Sequence, residues 1–301
     1  MTDVSVVVPV HDDRANLRRA LTALAGRSHE VIVVDNGSGD GSRELVAARF
    51  PSVRLVELGS NRGYGAAANA GLRLASCRYI LVVNSDATPL NGAVERLVAY
   101  ADAHPDVGVA GPRLLNPDGT LQRSVRGFPT LWRLATEFFF LRKLAPRSAA
   151  LNSFYGAGFD HRTPCECEFL KGAALLVRRA AFDSVGAFDE AFFVFSEDLD
   201  LCYRMHRGGW KVAFVPDAEF VHVGGASTQP QWDRMFREQL RGHVLFFAKH
   251  RGLAQAAWAR RIILAGLALR AVAFHGERRR AYEQAARWLA STDVETLVGA
   301  S

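Results

Sequence analysis

Three side chains in this 301-residue sequence have the types and surroundings of reactive groups. Asp86 follows an apolar run in Asn84-Ser85-Asp86, Asp198 lies in Glu197-Asp198-Leu-Asp200 at the start of a helical pattern, and His222 ends another apolar run. A carboxylate can bind a hard divalent cation or remove a proton from a hydroxyl, and an imidazole can bind Mn²⁺ or contact a phosphate. These residues predict a cation, a diphosphate contact and a general base.

Each of these residues also has a structural alternative. Asp86 could cap a helix or close a turn, Glu197 and Asp200 could only favour the positive N-terminus of a helix, and a single histidine is most often structural. An acid at the start of a helix can have a structural role and a chemical role at the same time. For each residue taken singly, the sequence leaves the alternatives open.

Two glycine-rich turns follow predicted strands and could bring backbone close to a nucleotide. They run from Asn36 to Ser42 and from Asn61 to Gly65, and either could also be ordinary turn chemistry. The dinucleotide fingerprint Gly-x-Gly-x-x-Gly is absent after the first strand, where the turn is His11-Asp-Asp-Arg14. This absence argues against an NAD-linked enzyme.

Alternating strands and helices must position these residues. Apolar, β-branched runs predict buried strands, and the predicted helices include 42–50 and 63–75. The predicted strands are residues 5–10, 31–34, 53–58, 79–83, 173–177, 211–215 and 220–223. The alternation predicts an α/β fold with a mainly parallel sheet, in which ligands collect at the carboxyl ends of strands, where Asp35 and Asp86 lie.

The net positive charge is confined to the C-terminal part of the chain. Residues 229–301 contain twelve Lys/Arg and six Asp/Glu, which equals the formal net charge of +6 of the whole chain. We therefore expect a catalytic domain over 1–228 and a basic, helical extension over 229–301. The extension could bind an anionic membrane surface, or it could pack on the sheet or on a second subunit.

Residues 260–270 bear on these alternatives. Arg260, Arg261 and Arg270 point in different directions on a helical wheel, which argues against a clean polar face. The apolar run 262–269 is much shorter than the roughly 20 residues of a membrane-spanning helix. No transmembrane segment is therefore predicted.

The four cysteines are expected to be reduced thiols in a cytoplasmic protein, because no secretory leader precedes them. Cys165-Glu-Cys167 with His161 could suggest zinc, but the usual two-residue spacer and a fourth ligand are missing. Buried or surface thiols are the favoured interpretation. The balance of 49% apolar and 23% charged residues is that of a globular protein, not of a disordered or fibrous one.

The motifs taken together resemble the family 2 glycosyltransferases, and within them the bacterial rhamnosyltransferase-like branch. The matching pieces run in family order across residues 4–227, and seven ordered pieces are far more specific than any one. They are residues 6–10, 33–42, 61–65 with 69–71, 83–86, Gly172 with 186–190, 197–202 and 222–227.

The resemblance implies a GT-A-type sheet with flanking helices, a Mg²⁺ or Mn²⁺ cofactor and a role for each matching residue. Asp198 resembles the catalytic base, and Asp86 resembles the metal-binding acid. His222 resembles a diphosphate or metal contact, and Asp35 resembles the residue that hydrogen-bonds the pyrimidine. The implied nucleotide contacts are Pro9, Val10, Asp35, Asn61, Arg62, Asn69 and Ser85, and the implied acceptor or diphosphate contacts are Lys171, Gly172 and Glu197. Asn84 replaces the first acid of the usual metal motif, and Ala68 replaces a common arginine.

The expected reaction is a single in-line displacement that inverts the anomeric carbon. The expected partners are a nucleotide-diphosphate sugar, dTDP-L-rhamnose before a UDP-sugar, and a lipid-linked or polysaccharide acceptor of the cell envelope. No nucleic-acid partner is expected, and a peripheral membrane contact at the inner membrane face and a homodimer stay open. The irregular region 116–168, with its aromatic patch 138–140 and Gly-rich turn 155–158, is interpreted as an insertion bordering the acceptor site.

Two other classes of function remain as alternatives. A sugar-nucleotide nucleotidyltransferase shares the sheet type, but its Gly-rich, Arg-containing loop after the first strand is absent here. A glycan-binding or scaffold protein on an inactive transferase domain is the second alternative. The presence of Asp86, Asp198 and His222 together argues against it.

Overall fold

The computed structural model describes residues 3–24, 29–156, 159–225 and 232–299. The first half of the chain alternates strands with helices. These elements are β1 (Val4–Val10), α1 (Arg14–Leu24), β2 (Glu30–Asp35), α2 (Ser42–Arg49), β3 (Arg54–Glu57), α3 (Tyr64–Leu72), β4 (Tyr79–Val83), β5 (Ala87–Pro89), α4 (Ala93–Ala103), β6 (Val107–Leu115), β7 (Leu121–Gln122) and β8 (Val125–Arg126).

The second half contains short helices and strands, and then a series of longer helices. These elements are α5 (Leu131–Phe138), α6 (Leu141–Leu144), α7 (Ala149–Asn152), a 3₁₀ helix (Ser153–Tyr155), β9 (Cys165–Glu166), β10 (Phe169–Leu170), β11 (Ala174–Arg178), α8 (Arg179–Val185), α9 (Glu197–Arg207), β12 (Lys211–His222), α10 (Trp232–Arg251), α11 (Leu253–Ala273), α12 (Gly276–Ser291) and α13 (Val294–Gly299).

The chain forms two compact units. Unit 1 comprises residues 1–125, 160–190 and 197–229, and unit 2 comprises 126–159, 191–196 and 230–301. The predicted boundary at 228/229 falls among residues 226–231, which lie outside the described part of the chain. Unit 2 also includes 126–159, which the sequence prediction placed in the catalytic domain.

Unit 1 contains the mixed, mostly parallel sheet that the sequence predicted, with strand order β3-β2-β1-β4-β11-β6-β12-β5. β1 pairs in parallel with β2 and β4, and every residue of β1 is buried. A strand buried on both faces needs a nearly continuous run of apolar residues, which β1 has except at the buried Ser5. The sheet therefore forms the centre of the unit 1 core.

β11 interrupts the parallel pattern, because it pairs antiparallel with both β4 and β6. Its N-terminal end therefore lies beside the carboxyl end of β4. β12 is parallel to β6 and is one strand where the sequence predicted two. A register shift falls between Val215 and Glu219, where Pro216 has no N–H for the ladder, so the two predicted strands are continuous through this irregularity.

Helix α3 packs unusually close to β1 because it consists mainly of glycine and alanine. A Cβ added at Gly71 would come within 2.3 Å of Val7 Cγ1. The helix ends at Leu72, three residues before the predicted end at Ala75. Its small residues bring the start of the helix, Tyr64, close to the strand ends that form the candidate site.

Unit 2 is built around α11, which packs against α5, α10 and α12. A Cβ added at Gly266 of α11 would approach Phe138 Cβ at 2.5 Å, so glycine permits the close contact. Arg270 donates hydrogen bonds to the carbonyl oxygens of Phe138 and Glu137. These contacts place α5 with the C-terminal helices, and Phe138 of the predicted aromatic patch is buried in unit 2.

Two further observations concern the sequence predictions. All four cysteines, Cys77, Cys165, Cys167 and Cys202, are free thiols. Among the described residues, no helix is both long and apolar enough to cross a membrane. Residues 157 and 158 of the predicted Gly-rich turn and residues 226 and 227 of the last family motif lie outside the described residues.

Candidate active site

The carboxyl ends of the parallel strands bring most of the predicted site residues to one edge of the unit 1 sheet. β2, β1 and β4 are parallel neighbours, so Asp35, Val10 and the Asn84-Ser85-Asp86 segment leave the sheet on the same side. β12 runs in the same direction and ends at His222. Lys171 and Gly172 precede antiparallel β11 and reach this edge from the other direction.

Asp35, at the end of β2, is buried and organises the turn that follows it. Its carboxylate accepts the backbone N–H of Gly37 at 3.2 Å and that of Ser38 at 3.2 and 3.3 Å. Val10, after Pro9 in β1, accepts the N–H of Asn36 at 2.8 Å. A carboxylate has about four lone-pair sites, so Asp35 keeps capacity to accept another donor. Its predicted contact with a pyrimidine stays a prediction.

Asn36 connects the first glycine-rich turn to the second. Its Oδ1 accepts the N–H of Arg62 at 2.8 Å, and its Nδ2 donates to Asn61 Oδ1 at 3.1 Å. Gly37 has φ +77°, and a Cβ there would meet the Ser60 carbonyl carbon at 2.7 Å. The sequence analysis did not select Asn36, although an asparagine directly after a buried strand was the available signal. The Arg62 side chain is exposed to solvent.

Ser85 donates a hydrogen bond to Asp13 Oδ2 at 2.8 Å, and both residues are buried. Burial raises the pKa of Asp13, and the charge of Asp86 adds to the rise, whereas hydrogen bonds from Ser85 and Asn16 oppose it. The sequence analysis used the turn that contains Asp13 only to exclude a dinucleotide fold. A second buried carboxyl group therefore lies near the predicted metal ligand.

Asp86 and His222 are far apart in sequence and lie side by side in the structure, because β12 pairs with β5 next to them. Asp86 Oδ1 lies 3.3 Å from His222 Nε2, and Asp86 Oδ2 accepts the N–H of Gly224 at 2.9 Å. Burial alone would raise the pKa of Asp86, but His222 and the Gly224 N–H lower it overall. Asp86 is therefore held as a carboxylate at the strand end.

The resemblance implies a divalent cation, and the residues around Asp86 fit one. Asn84 Oδ1 is buried without a hydrogen-bond partner among the described residues. The 3.3 Å between Asp86 Oδ1 and His222 Nε2 is close to the spacing of about 3 Å between adjacent ligands on an octahedral cation. The described residues contain no group of three or more His, Cys, Asp or Glu that could hold a metal. Diphosphate oxygens commonly supply further ligands to such cations.

Gln122 in β7 orients His222, and the sequence analysis missed it. The Gln122 Oε1 accepts from His222 Nδ1 at 2.6 Å and from Lys171 Nζ at 3.3 Å. Its Nε2 donates to the His222 carbonyl oxygen at 3.2 Å and to Asn116 Oδ1 at 3.0 Å. Because an amide oxygen can only accept, His222 Nδ1 carries a proton and Nε2 faces Asp86. A polar residue on a two-residue strand offers no sequence signal of this role.

We predict that Gln122→Leu weakens Mn²⁺-dependent nucleotide binding by about 10–100-fold, as loss of the partner that orients a metal-binding histidine does elsewhere. Nucleotide binding without metal should change little. Isothermal titration with and without Mn²⁺ measures both quantities. Arg123→Gln, at the exposed neighbouring position, is the control and should bind like the parent protein. Equal losses with and without metal would show that Gln122 only supports the fold.

Asp198 lies in the first turn of α9, and both its carboxylate oxygens are oriented by backbone. Oδ2 accepts the N–H of Gly172 and Oδ1 that of Leu199, both at 2.7 Å. Burial raises the pKa of Asp198, although these hydrogen bonds and the charge of Lys171 oppose the rise. The side chain remains partly exposed. A fixed carboxylate with a raised pKa and access to solvent can act as a general base.

Glu197 differs from Asp198 although the two are adjacent. Glu197 is buried, and its Oε2 has no hydrogen-bond partner among the described residues. Burial and the neighbouring charge of Asp198 raise the pKa of Glu197 well above its usual range. The surroundings of Glu197 therefore favour its protonated, uncharged form. Its predicted contact with acceptor or diphosphate would then be that of a neutral donor.

Tyr64 is a further residue of this edge that the sequence analysis did not select. Its hydroxyl lies 3.5 Å from the carbonyl oxygen of Gly172. Burial and the neighbouring acidic groups of Glu197, Asp198 and Asp86 raise the pKa of Tyr64 well above its usual value. Tyr64 therefore presents a neutral hydroxyl within electrostatic range of both the predicted metal ligand and the predicted base.

Asn69 does not have the geometry expected of a nucleotide contact. Its Oδ1 accepts the N–H of Phe188 at 3.1 Å, and its Nδ2 donates to the Phe188 carbonyl oxygen at 2.8 Å and to Glu190 Oε1 at 2.9 Å. These bonds engage both amide hydrogens inside the protein. The structure therefore gives Asn69 a different role, which is to fix the loop that contains Phe188.

Comparison with known proteins agrees with this geometry. Residues 5–184 match the family model described as Glycosyl transferase family 2. The chain is 34% identical over 245 residues, 76% of this chain and 78% of the relative, to the N-acetylglucosaminyl-diphospho-decaprenol L-rhamnosyltransferase of Mycobacterium tuberculosis (strain CDC 1551 / Oshkosh). The same relative from strain ATCC 25618 / H37Rv matches to the same extent.

Two solved structures share the fold. The mannosyltransferase from Pyrobaculum calidifontis in complex with GDP-Man and Mn²⁺ matches 98% of this chain and 83% of its own, with TM-score 0.54 and 19% identity. GalNAc-T7 with UDP, GalNAc and Mn²⁺ matches 82% of this chain and 51% of its own, with TM-score 0.55 and 16% identity. Both confirm the expected GT-A-type fold. The family match and the mycobacterial relative show that the chain belongs to glycosyl transferase family 2, as a rhamnosyltransferase-like member.

Proposed function

We propose that this glycosyltransferase moves a hexose from a nucleotide diphosphate to an acceptor hydroxyl with inversion at the anomeric carbon. The observation that carries the proposal is the pair of carboxylates at one sheet edge with opposite environments. The pKa of Asp86 is lowered beside His222, and that of Asp198 is raised at the start of α9. Carboxyl groups whose environments separate their pKa values are typical of distinct roles in one mechanism.

In this mechanism Asp198 accepts the proton of the acceptor hydroxyl while the acceptor oxygen forms a bond to the anomeric carbon. The bond from that carbon to the diphosphate breaks on the opposite face, and the electron pair leaves with the diphosphate. The N–H groups of Gly172 and Leu199 hold the Asp198 carboxylate during this step. Asp86, His222 and Asn84 would hold Mg²⁺ or Mn²⁺, which neutralises charge developing on the diphosphate.

We assign dTDP-L-rhamnose as the first donor and a UDP-sugar as the second. The support for rhamnose is the mycobacterial relative, which is an L-rhamnosyltransferase. Asp35 supports a thymine or uracil base, because its carboxylate can accept the imide N–H that cytosine lacks. The Asn61–Arg62 loop, pinned by Asn36, would contact the same nucleotide.

We further propose that the acceptor is a lipid-linked or polysaccharide intermediate of cell-envelope glycan synthesis. The relative's name specifies an N-acetylglucosaminyl-diphospho-decaprenol acceptor, which is a lipid. A lipid-linked acceptor requires contact with a membrane surface, and we place this contact at the inner, cytoplasmic face. A homodimer remains compatible with this function.

A thermal-shift panel of dTDP, UDP, GDP and CMP, each with and without Mn²⁺, tests the donor assignment. We expect the largest stabilisation from dTDP or UDP, and a larger stabilisation with metal than without it. A ligand at 100 times its dissociation constant adds about 2.7 kcal/mol to the free energy of unfolding. If GDP stabilises the protein more than either pyrimidine nucleotide, the role of Asp35 is wrong. Hydrolysis of the donor sugar then separates an active transferase from an inactive glycan-binding protein.

A further inference from the structure

Helix α11 exposes an apolar face along most of its length. The α11 outer face consists of Ala254, Trp258, Ile262, Ala265, Leu269 and Val272. Their spacing of three and four residues keeps them on one side of a helix. Trp258, Leu269 and Val272 are 55%, 42% and 80% exposed, and Ile262 is half-buried. Such a contiguous apolar stripe on a surface marks a site of interaction.

The opposite side of α11 is anchored in unit 2. Ala256, Ala259, Ile263 and Leu267 are buried, and Gly266 packs against Phe138. The helix is therefore apolar on both sides, and in the described part of the chain its inner side is the one buried in unit 2. A helix held along one side can place its other side flat against a surface.

The arginines of α11 do not interrupt the outer face as their sequence positions suggest. Arg260 donates to the carbonyl oxygens of Leu289 and Thr292, and Arg270 is buried and donates to those of Phe138 and Glu137. Both guanidinium groups thus bind the ends of neighbouring helices in unit 2. The different directions of the three arginines on a helical wheel therefore do not argue against an interfacial helix, because two of the three side chains are directed inward.

Positive charge remains beside the outer face. The Arg261 guanidinium lies 4.9 Å from the ring centroid of Trp258. Arg278 and Arg280, just beyond the end of α11, are exposed and have no acidic partner in the described part of the chain, whereas Arg279 pairs with Glu283 at 2.7 Å. Exposed positive charge therefore lies on the apolar stripe at Arg261 and follows it along the chain at Arg278 and Arg280.

We propose that the α11 outer face lies on an anionic lipid surface. Trp258 and Arg261 would sit at headgroup level, and Arg278 and Arg280 would contact the anionic headgroups. We prefer a lipid surface to a second copy of the chain because anionic headgroups would offer the exposed arginines partners of opposite charge. The choice of a lipid surface also rests on the proposed lipid-linked acceptor.

Sedimentation of the full-length protein with vesicles tests the proposal. Vesicles of equal parts phosphatidylglycerol and phosphatidylcholine should bind the protein at low salt and release it at high salt, and pure phosphatidylcholine should bind it less. The double variant Leu269→Gln/Val272→Gln keeps good helix formers on α11 and should lower vesicle affinity at least tenfold. Arg278→Gln/Arg280→Gln should lower affinity only for the anionic vesicles.

The matched control is Trp132→Gln/Leu144→Gln, which removes exposed apolar side chains from unit 2 outside α11. It should bind vesicles like the parent protein. Equal losses in the control and in the α11 variant would overturn the assignment to this face. A second result would also overturn it. If light scattering shows that Leu269→Gln/Val272→Gln converts a dimer to a monomer while vesicle binding is unchanged, the α11 outer face binds a second copy of the chain.

Nucleotide binding separates this inference from the proposed function. The α11 variant should keep the parent's melting temperature and its stabilisation by dTDP or UDP, which are measured without lipid. Lost vesicle binding with normal nucleotide binding supports the α11 face. If the parent protein transfers no sugar but binds vesicles, and the α11 variant does not bind them, the proposed function is wrong and the membrane role of the α11 outer face is still supported.

Discussion

Replacement of Asp198 by asparagine is expected to reduce turnover by about 10²–10⁴-fold, or roughly 3–5 kcal/mol of barrier, while donor binding stays nearly intact. The amide cannot accept a proton from the acceptor hydroxyl. It can still accept a hydrogen bond from Gly172 or Leu199, but not from both. Steady-state transfer rates and nucleotide titrations measure the two effects, and the melting temperature shows whether the variant folds.

Glu197→Gln is the matched control for this substitution. Burial and the charge of Asp198 raise the pKa of Glu197 well above its usual range, so the neutral amide resembles the acid that it replaces. We expect Glu197→Gln to keep most of the transfer rate. Loss of the rate in Glu197→Gln together with an active Asp198→Asn would mean that the two acids have exchanged roles.

The pH dependence of transfer follows from the same assignment. Because burial raises the pKa of Asp198, the base is lost by protonation at a higher pH than for an ordinary aspartate. The rate should therefore rise with pH through this raised pKa and then level off. In Asp198→Asn, the remaining transfer rate should no longer rise with pH in this range. If the rate of the variant still rises as in the parent protein, another group is responsible for the pH dependence.

Replacement of Asp86 by alanine should weaken nucleotide and metal binding together, by at least tenfold, or about 1.4 kcal/mol. The substitution removes the carboxylate 3.3 Å from His222 Nε2 and leaves the Gly224 N–H without its acceptor. Titration of dTDP or UDP in the presence of Mn²⁺ measures the loss. Mn²⁺ electron paramagnetic resonance gives a readout that does not depend on catalysis.

Asp86→Asn distinguishes charge from local structure at this position. The amide oxygen can still accept the Gly224 N–H, but the negative charge is gone. If Asp86 acts as a ligand for a cation, both variants should lose metal-dependent binding to a similar degree. Recovery of binding in Asp86→Asn would instead show that the residue mainly holds the turn after β12.

Much of the candidate site could be predicted from strand ends. Asp35, Asp86 and His222 each close an apolar run, and parallel strands bring such positions to one edge whatever their distance along the chain. Two of the residues that were missed, Asn36 and Gln122, act through hydrogen bonds to partners far away in sequence. No periodicity or spacing reports such bonds, since they depend on the packed positions of both partners.

The sequence by itself determined the alternation of strands and helices, the order of the motifs and the acids at the strand ends, because these follow from local apolar patterns. The tertiary structure decided where long polar side chains point. It turned Asn69 toward Phe188 and directed Arg260 and Arg270 to helix-end carbonyl oxygens, leaving the outer face of α11 apolar. A long side chain can reach several partners, and only the packing of neighbouring elements selects one of them.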